Sequence, residues 1–78
     1  MFITYDSAAD AIYVYLSTVE EHDVARTVMV DDARLVKYDA SDEPIGLELL
    51  FVSEGVDLEG LPRADEVAEV LRRFPRPA

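Results

Sequence analysis

Two aspartates near the start of the chain have the spacing of a carboxylate pair. Asp6 and Asp10 are four residues apart and enclose the short segment Ser7-Ala8-Ala9. Two carboxylates that face each other across a turn can share a proton or bind a divalent cation. Asp is also common in turns because its side chain accepts hydrogen bonds from the backbone N–H groups that follow it. The pair therefore indicates turn capping, with acid/base or metal-assisted catalysis as the alternative.

The single imidazole is a further candidate for chemistry. His22 lies in the polar run Glu20-Glu21-His22-Asp23, and no Ser or Cys nucleophile motif accompanies it. The chain has no Cys, which excludes disulfides and a Cys/His zinc site. We interpret His22 as an exposed side chain and keep it as a weak functional candidate beside the two aspartates.

The remaining motifs do not assign a catalytic residue, a cofactor or a metal. The acidic segments 31–32 and 39–42 lack the glycine and the bidentate Glu of an EF-hand loop, so they are interpreted as solvated turns. Ser17 and Ser53 lack a nucleophile-elbow motif, and the three glycines do not form a phosphate-binding loop. The sequence thus predicts no cofactor.

Two tyrosines form the candidate interaction surface. Tyr13 and Tyr15 alternate with Ile12, Val14 and Leu16, so a strand here would place the tyrosines on the opposite face from the aliphatic residues. Aromatic side chains on a second sheet face favour a partner surface. Partial shielding by long neighbouring side chains is the alternative, and the sequence leaves both open.

The hydrophobic pattern predicts one α+β domain over residues 1–78. A two-residue period predicts a small antiparallel β-meander of four to five strands, at about 2–5, 11–16, 24–31, 35–38 and 45–52. A 3.6-residue period then predicts one C-terminal amphipathic helix, at about 62–74, packed on one face of the sheet. Its apolar face comprises Val67, Val70, Leu71 and Phe74. Pro62 is expected in its first turn and Pro75 at its end.

Composition limits the partners. The formal net charge of −10 on 78 residues repels phosphate backbones and anionic membranes, so neither nucleic acid nor a membrane is expected. The basic residues near the end, Arg63, Arg72, Arg73 and Arg76, are interpreted as a solvated helix face. No membrane span or signal peptide is apparent, which indicates the cytoplasm. A domain this small gains little stability from its core, and with disulfides excluded we expect a homodimer or higher homo-oligomer.

Three short stretches together resemble the family known as domain of unknown function 2283. They are Ile3-Thr4-Tyr5-Asp6 with Ala9-Asp10-Ala11-Ile12-Tyr13, then Tyr38-Asp39, then Ile45-Gly46-Leu47-Glu48-Leu49-Leu50. The resemblance covers residues 2 to 52. Members often have Asp-Gly in the turn after the Tyr-Asp pair, where this chain has Asp42-Glu43-Pro44, so a tight hairpin with positive φ is not expected. The resemblance implies no established activity; because family genes often neighbour small toxin-like genes, it implies an antitoxin-like role for some members.

The sequence thus favours a non-enzymatic protein–protein interaction module, with the possibility of an antitoxin-like function. Such a module would self-associate and meet a basic protein partner through its acidic surface or a sheet edge. The alternative is a small acid/base or divalent-metal-assisted enzyme that uses Asp6, Asp10 and His22.

Overall fold

A computed structural model describes residues 1–17 and 24–73. The strands are β1 (Phe2–Asp6), β2 (Ala11–Tyr15), β3 (Arg26–Asp31), β4 (Arg34–Tyr38) and β5 (Pro44–Leu50), followed by a 3-10 turn (Val52–Glu54) and helix α1 (Ala64–Arg73). All strand pairs are antiparallel. The predicted α+β arrangement of an antiparallel sheet with one C-terminal helix is confirmed.

The strand order departs from a simple meander. The order across the sheet is β1-β2-β5-β4-β3, so the chain crosses from β2 to the far edge before it returns through β4 to β5. Only β3, β4 and β5 follow one another as a meander. The arrangement places the apolar strand β5 in the centre, with the core residues Leu47 and Leu49 both only 2% exposed, and leaves β3, whose residues are all exposed, at an edge. Burial of the most apolar strand explains this order.

The core lies on one face of the sheet. Ile12 and Val14 of β2 and Leu16 just after it pack there with Val36, Leu47 and Leu49, while Leu61 and Val67 from the C-terminal segment cover them. The predicted inward alternation of β2 is therefore confirmed. On the helix, Val67 is buried, Leu71 packs against the core and Val70 is half-buried. Phe74 and Pro75 lie outside the described residues.

The C-terminal boundaries differ from those expected from sequence. Strand β5 ends at Leu50 instead of residue 52, because Phe51 adopts a left-handed conformation (φ 54°) that turns the chain into the 3-10 turn. Pro62 lies in a turn, and the helix begins two residues later at Ala64. Arg63 precedes that first residue with φ 54°, and its carbonyl accepts the first helical hydrogen bond, from Val67 N–H. Arg63 therefore precedes the helix and is not part of the solvated helix face that the sequence predicted for it.

The turn before β5 contains a residue with positive φ, although the absence of glycine from this turn predicted that it would not. Asp42 has φ 63°, a conformation that Asp tolerates better than most residues. The carboxylate of Asp39 holds the loop together, since its Oδ1 accepts the N–H groups of Ser41 at 2.8 Å and Glu43 at 3.0 Å. Side-chain hydrogen bonds thus replace the conformational freedom of glycine.

Candidate functional site

Asp6 and Asp10 lie at opposite ends of the turn that joins β1 to β2. Asp6 Oδ1 accepts the N–H of Ala9 at 3.1 Å. Asp10 has φ 52°, and its carboxylate reaches across to Ser53, accepting the backbone N–H on Oδ1 at 2.9 Å and the hydroxyl on Oδ2 at 2.7 Å. The Asp6 carboxylate therefore caps the turn, as one interpretation of the pair predicted, whereas the Asp10 carboxylate binds a residue 43 positions away.

His22 lies outside the described residues. Within residues 1–17 and 24–73, no group of three or more His, Asp or Glu side chains is arranged to hold a metal ion. In the same part of the chain, no helix is long and apolar enough to cross a membrane.

The face of the sheet opposite the core, called here the open face, carries both candidate tyrosines. The strand registers align its residues in two rows that cross the whole sheet. The first row is Phe2, Tyr15, Gly46, Lys37 and Thr27; the second is Thr4, Tyr13, Glu48, Leu35 and Met29. Residues paired directly across antiparallel strands share a face, so each row is a line of neighbouring side chains.

Large apolar side chains remain accessible on the open face. Phe2 is 63% exposed, Met29 62% and Tyr15 40%, whereas Val14, which precedes Tyr15, points into the core and is 1% exposed. The rings of Phe2 and Tyr15 lie 5.5 Å apart between centroids in a tilted pair. Beside them Gly46 contributes no side chain, and the side chain of Lys37 lies against it. Aromatic residues and Met are the residue types enriched at protein interfaces.

The middle of the open face is electrically balanced. Lys37 Nζ lies 3.8 Å from Glu48 Oε1, and the two side chains are about a quarter exposed (26% and 23%). The pKa of Tyr13 is raised, first by desolvation and then by the negative charges of Glu48 and Asp6, with a further contribution from Tyr15. The phenol of Tyr13 therefore stays protonated at neutral pH and can donate a hydrogen bond.

Two arginines hold the C-terminal segment against the sheet, which the sequence did not predict. Arg34 Nη1 donates to the carbonyls of Glu59 at 2.6 Å and Asp57 at 3.4 Å, while its Nε donates to Asp31 Oδ2 at 2.9 Å. Arg34, Asp31 and Asp57 border a small cleft of about 90 Å³. The i, i+3 spacing of Asp31 and Arg34 around a turn is a local signal for their ion pair. The carbonyl contacts join residues more than twenty positions apart and have no such signal.

Arg63 has the corresponding role at the start of the helix. Its Nη1 donates to the Leu16 carbonyl at 2.6 Å, and its Nε and Nη2 bind both carboxylate oxygens of Glu66 at 3.2 and 2.6 Å. By contrast, Arg72 and Arg73 both pair with Glu69 on the exposed side of α1, as expected of a solvated helix face.

Comparison with known proteins identifies the chain by family. A search of curated proteins and a search of solved structures each returned no match. The family model described as "Protein of unknown function (DUF2283)" matches residues 3–53, which include almost all of the sheet and the Asp10–Ser53 contact. The match covers well over half of the chain and confirms the family that the sequence motifs resemble. The chain therefore belongs to the DUF2283 family of proteins of unknown function.

Proposed function

We propose that this protein is a non-enzymatic interaction module that self-associates through the open face of its sheet. The observation that carries the proposal is the exposed aromatic pair Phe2 and Tyr15, which lies in a row of side chains that runs across all five strands. Apolar side chains gathered on one accessible face are typical of protein–protein contact sites.

The charge distribution favours a second copy as the occupant of this face. The chain has a net charge of −10, so two copies repel each other over most of their surfaces. The open face differs because Lys37 and Glu48 balance each other at its centre. Under two-fold symmetry, Lys37 of each copy can also approach Glu48 of the other, which makes the contact self-complementary.

The size of the face sets the expected strength. Five strands spaced about 4.8 Å apart and about 17 Å long present roughly 400 Å² per copy. A face-to-face dimer would then bury roughly 800 Å² in total, which is below the size of a stable interface and typical of weak, transient contacts. We therefore expect reversible association with a dissociation constant in the micromolar range.

Two matched substitutions test the open face. Phe2→Ser removes a ring that is 63% exposed from it, and Phe51→Ser removes a ring that is 50% exposed and lies beyond the end of β5. Sedimentation equilibrium should show weaker self-association for Phe2→Ser and unchanged association for Phe51→Ser, with both variants folded by circular dichroism. A wild-type protein that stays monomeric at high micromolar concentration, or equal behaviour of the two variants, would overturn the proposal.

The acidic surface outside this face supports the antitoxin-like extension of the same function. Exposed carboxylates lie on the turns, on the segment after β5 and on the first turn of α1: Asp32, Asp42, Glu43, Glu54, Asp57, Glu59, Asp65 and Glu66. In a dimer joined by the open faces this surface stays accessible and can receive a cationic protein.

Co-expression with a cationic protein encoded by an adjacent gene tests this extension. The two proteins should co-purify at low salt and separate at high salt, because a contact between opposite charges is screened by ions. Charge reversal of the exposed Glu43 and Glu54 to Lys should weaken the complex without changing self-association. A complex that is insensitive to both changes would contradict the electrostatic contact.

A further inference from the structure

Strand β3 is an exposed sheet edge with an apolar centre. All six of its residues are exposed, including Val28 (36%), Met29 (62%) and Val30 (45%). At the opposite edge, three of the five residues of β1 are half-buried. The two edges of the sheet are therefore not equivalent, and β3 is the more accessible.

Natural proteins usually protect such an edge against pairing with another chain. The common devices are Lys or Pro within the strand, a very short strand, or a bulge that twists the edge away. Residues 26–31 contain neither Lys nor Pro, and their register shift lies near the turn, between Met29 and Asp31. The stretch from Arg26 to Met29 keeps an unbroken register with β4 and so has the geometry to pair on its other side.

The charges of β3 are arranged for pairing with an antiparallel copy of itself. Arg26 lies at its start and Asp31 at its end, and their side chains are 50% and 47% exposed although each has an ion-pair partner within the chain. An antiparallel copy brings the basic start of one strand close to the acidic end of the other. The apolar residues between them then face each other.

We infer that β3 pairs with β3 of a second copy, which joins two sheets edge to edge about a two-fold axis. Residues directly opposed across two antiparallel strands lie on the same face of the sheet. The two-fold axis must therefore pass beside one residue, which pairs with its own copy, and not between two consecutive residues. Val28 and Met29 are the candidates for that residue. With the axis at Val28, Thr27 lies opposite Met29 of the second copy and Arg26 lies beside its Asp31. This contact is separate from the proposed contact through the open face, and the two can exist together.

Single cysteines test the pairing, because the chain has none of its own. Val28→Cys and Met29→Cys each place a thiol where the two-fold axis would bring its copy within disulfide distance. Ser7→Cys places a near-isosteric thiol in the exposed β1–β2 turn as the control. Under mild oxidation we expect Val28→Cys or Met29→Cys to form covalent dimers about tenfold or more faster than Ser7→Cys. If neither exceeds the control, the pairing is refuted.

A second experiment separates the edge from the open face. Val28→Lys introduces a charge at the edge, and Phe2→Ser weakens the open face. By light scattering, each variant alone should remain a dimer through the other contact, and the double variant should be a monomer. If Val28→Lys leaves association unchanged and the double variant matches Phe2→Ser, the edge contact is absent. Thr27→Lys repeats the test if Val28→Lys lowers the melting temperature.

Discussion

Asp10 and Ser53, which are 43 residues apart, are joined by two hydrogen bonds between one carboxylate and the two donors of one serine. The adjacent backbone adds a third bond, from Val52 N–H to the Asp10 carbonyl at 3.1 Å. These bonds fix the chain after it leaves the central strand and aim it toward the core face. The contact explains why Asp10 tolerates a left-handed conformation and why the 3-10 turn forms directly after β5.

Loss of the Asp10 carboxylate should therefore destabilise the whole domain. Asp10→Ala removes both bonds to Ser53, and we expect it to lower the free energy of unfolding by about 1–2 kcal/mol in urea denaturation. Asp10→Asn keeps an acceptor and should cost less. Asp6→Ala, which removes one bond to Ala9, is the matched control with a smaller expected loss. Equal midpoints for Asp10→Ala and the wild type would show that the bonds contribute nothing.

Substitution of Arg34 should release the segment between the 3-10 turn and the helix. Arg34→Met keeps the side-chain length but removes the donors to Asp57 and Glu59. We expect it to lower the free energy of unfolding by about 1.5–3 kcal/mol, because hydrogen bonds made by a charged group contribute in this range. Arg72→Met removes an exposed arginine on α1 and should cost less than about 0.5 kcal/mol. Hydrogen exchange at Leu61 should accelerate in Arg34→Met alone. Equal stability of the two variants would contradict this role.

The C-terminal segment should be indispensable to the sheet. Leu61 is 6% exposed and packs in the core cluster, so Leu61→Ala should cost about 2–5 kcal/mol. Leu71 is half-buried, so the loss of unfolding free energy in Leu71→Ala should be at or below the lower end of that range. Truncation before Leu61 also removes Val67 and should abolish cooperative unfolding. A truncated chain with the same thermal midpoint as the full one would refute this dependence.

Acid should weaken the two arginine contacts in a defined pH range. The pKa of Asp31 is lowered by its hydrogen bond with Arg34, and the pKa of Glu66 by its hydrogen bond with Arg63. A carboxyl whose folded pKa lies below its unfolded value stabilises the fold above the unfolded pKa. That contribution declines as the pH falls through the folded pKa, so the loss should begin near the ordinary values of 3.8 and 4.5.

Chemical denaturation at a series of pH values measures this dependence. Asp31→Asn should be less stable than the wild type at neutral pH, and its stability should fall less steeply below about pH 4. Asp32→Asn is the matched control. Asp32 is exposed, and the structure shows no ion pair between it and another described residue, so this variant should follow the wild-type profile. Parallel profiles for all three proteins would show that the Asp31 contact does not contribute.

Much of the local structure could be predicted because it depends on neighbouring residues. Alternation of apolar and polar residues predicted each strand to within about two residues and placed Tyr13 and Tyr15 opposite the core. The errors fell where a single residue leaves the regular backbone. The left-handed residues Phe51 and Arg63 lie beside long-range contacts, from Val52 N–H to Asp10 and from Arg63 to Leu16, and periodicity carries no information about such contacts.

The sequence by itself determined the strands, the amphipathic helix, the absence of disulfides and the family, because each follows from residue type and short-range spacing. Only the tertiary structure decided that β5 is central and β3 is an edge, that Asp10 binds Ser53, and that Phe2 joins Tyr15 on the open face. These relationships connect residues far apart in the chain. They arise because burial of the most apolar strand selects one strand order among several that share the same local pattern.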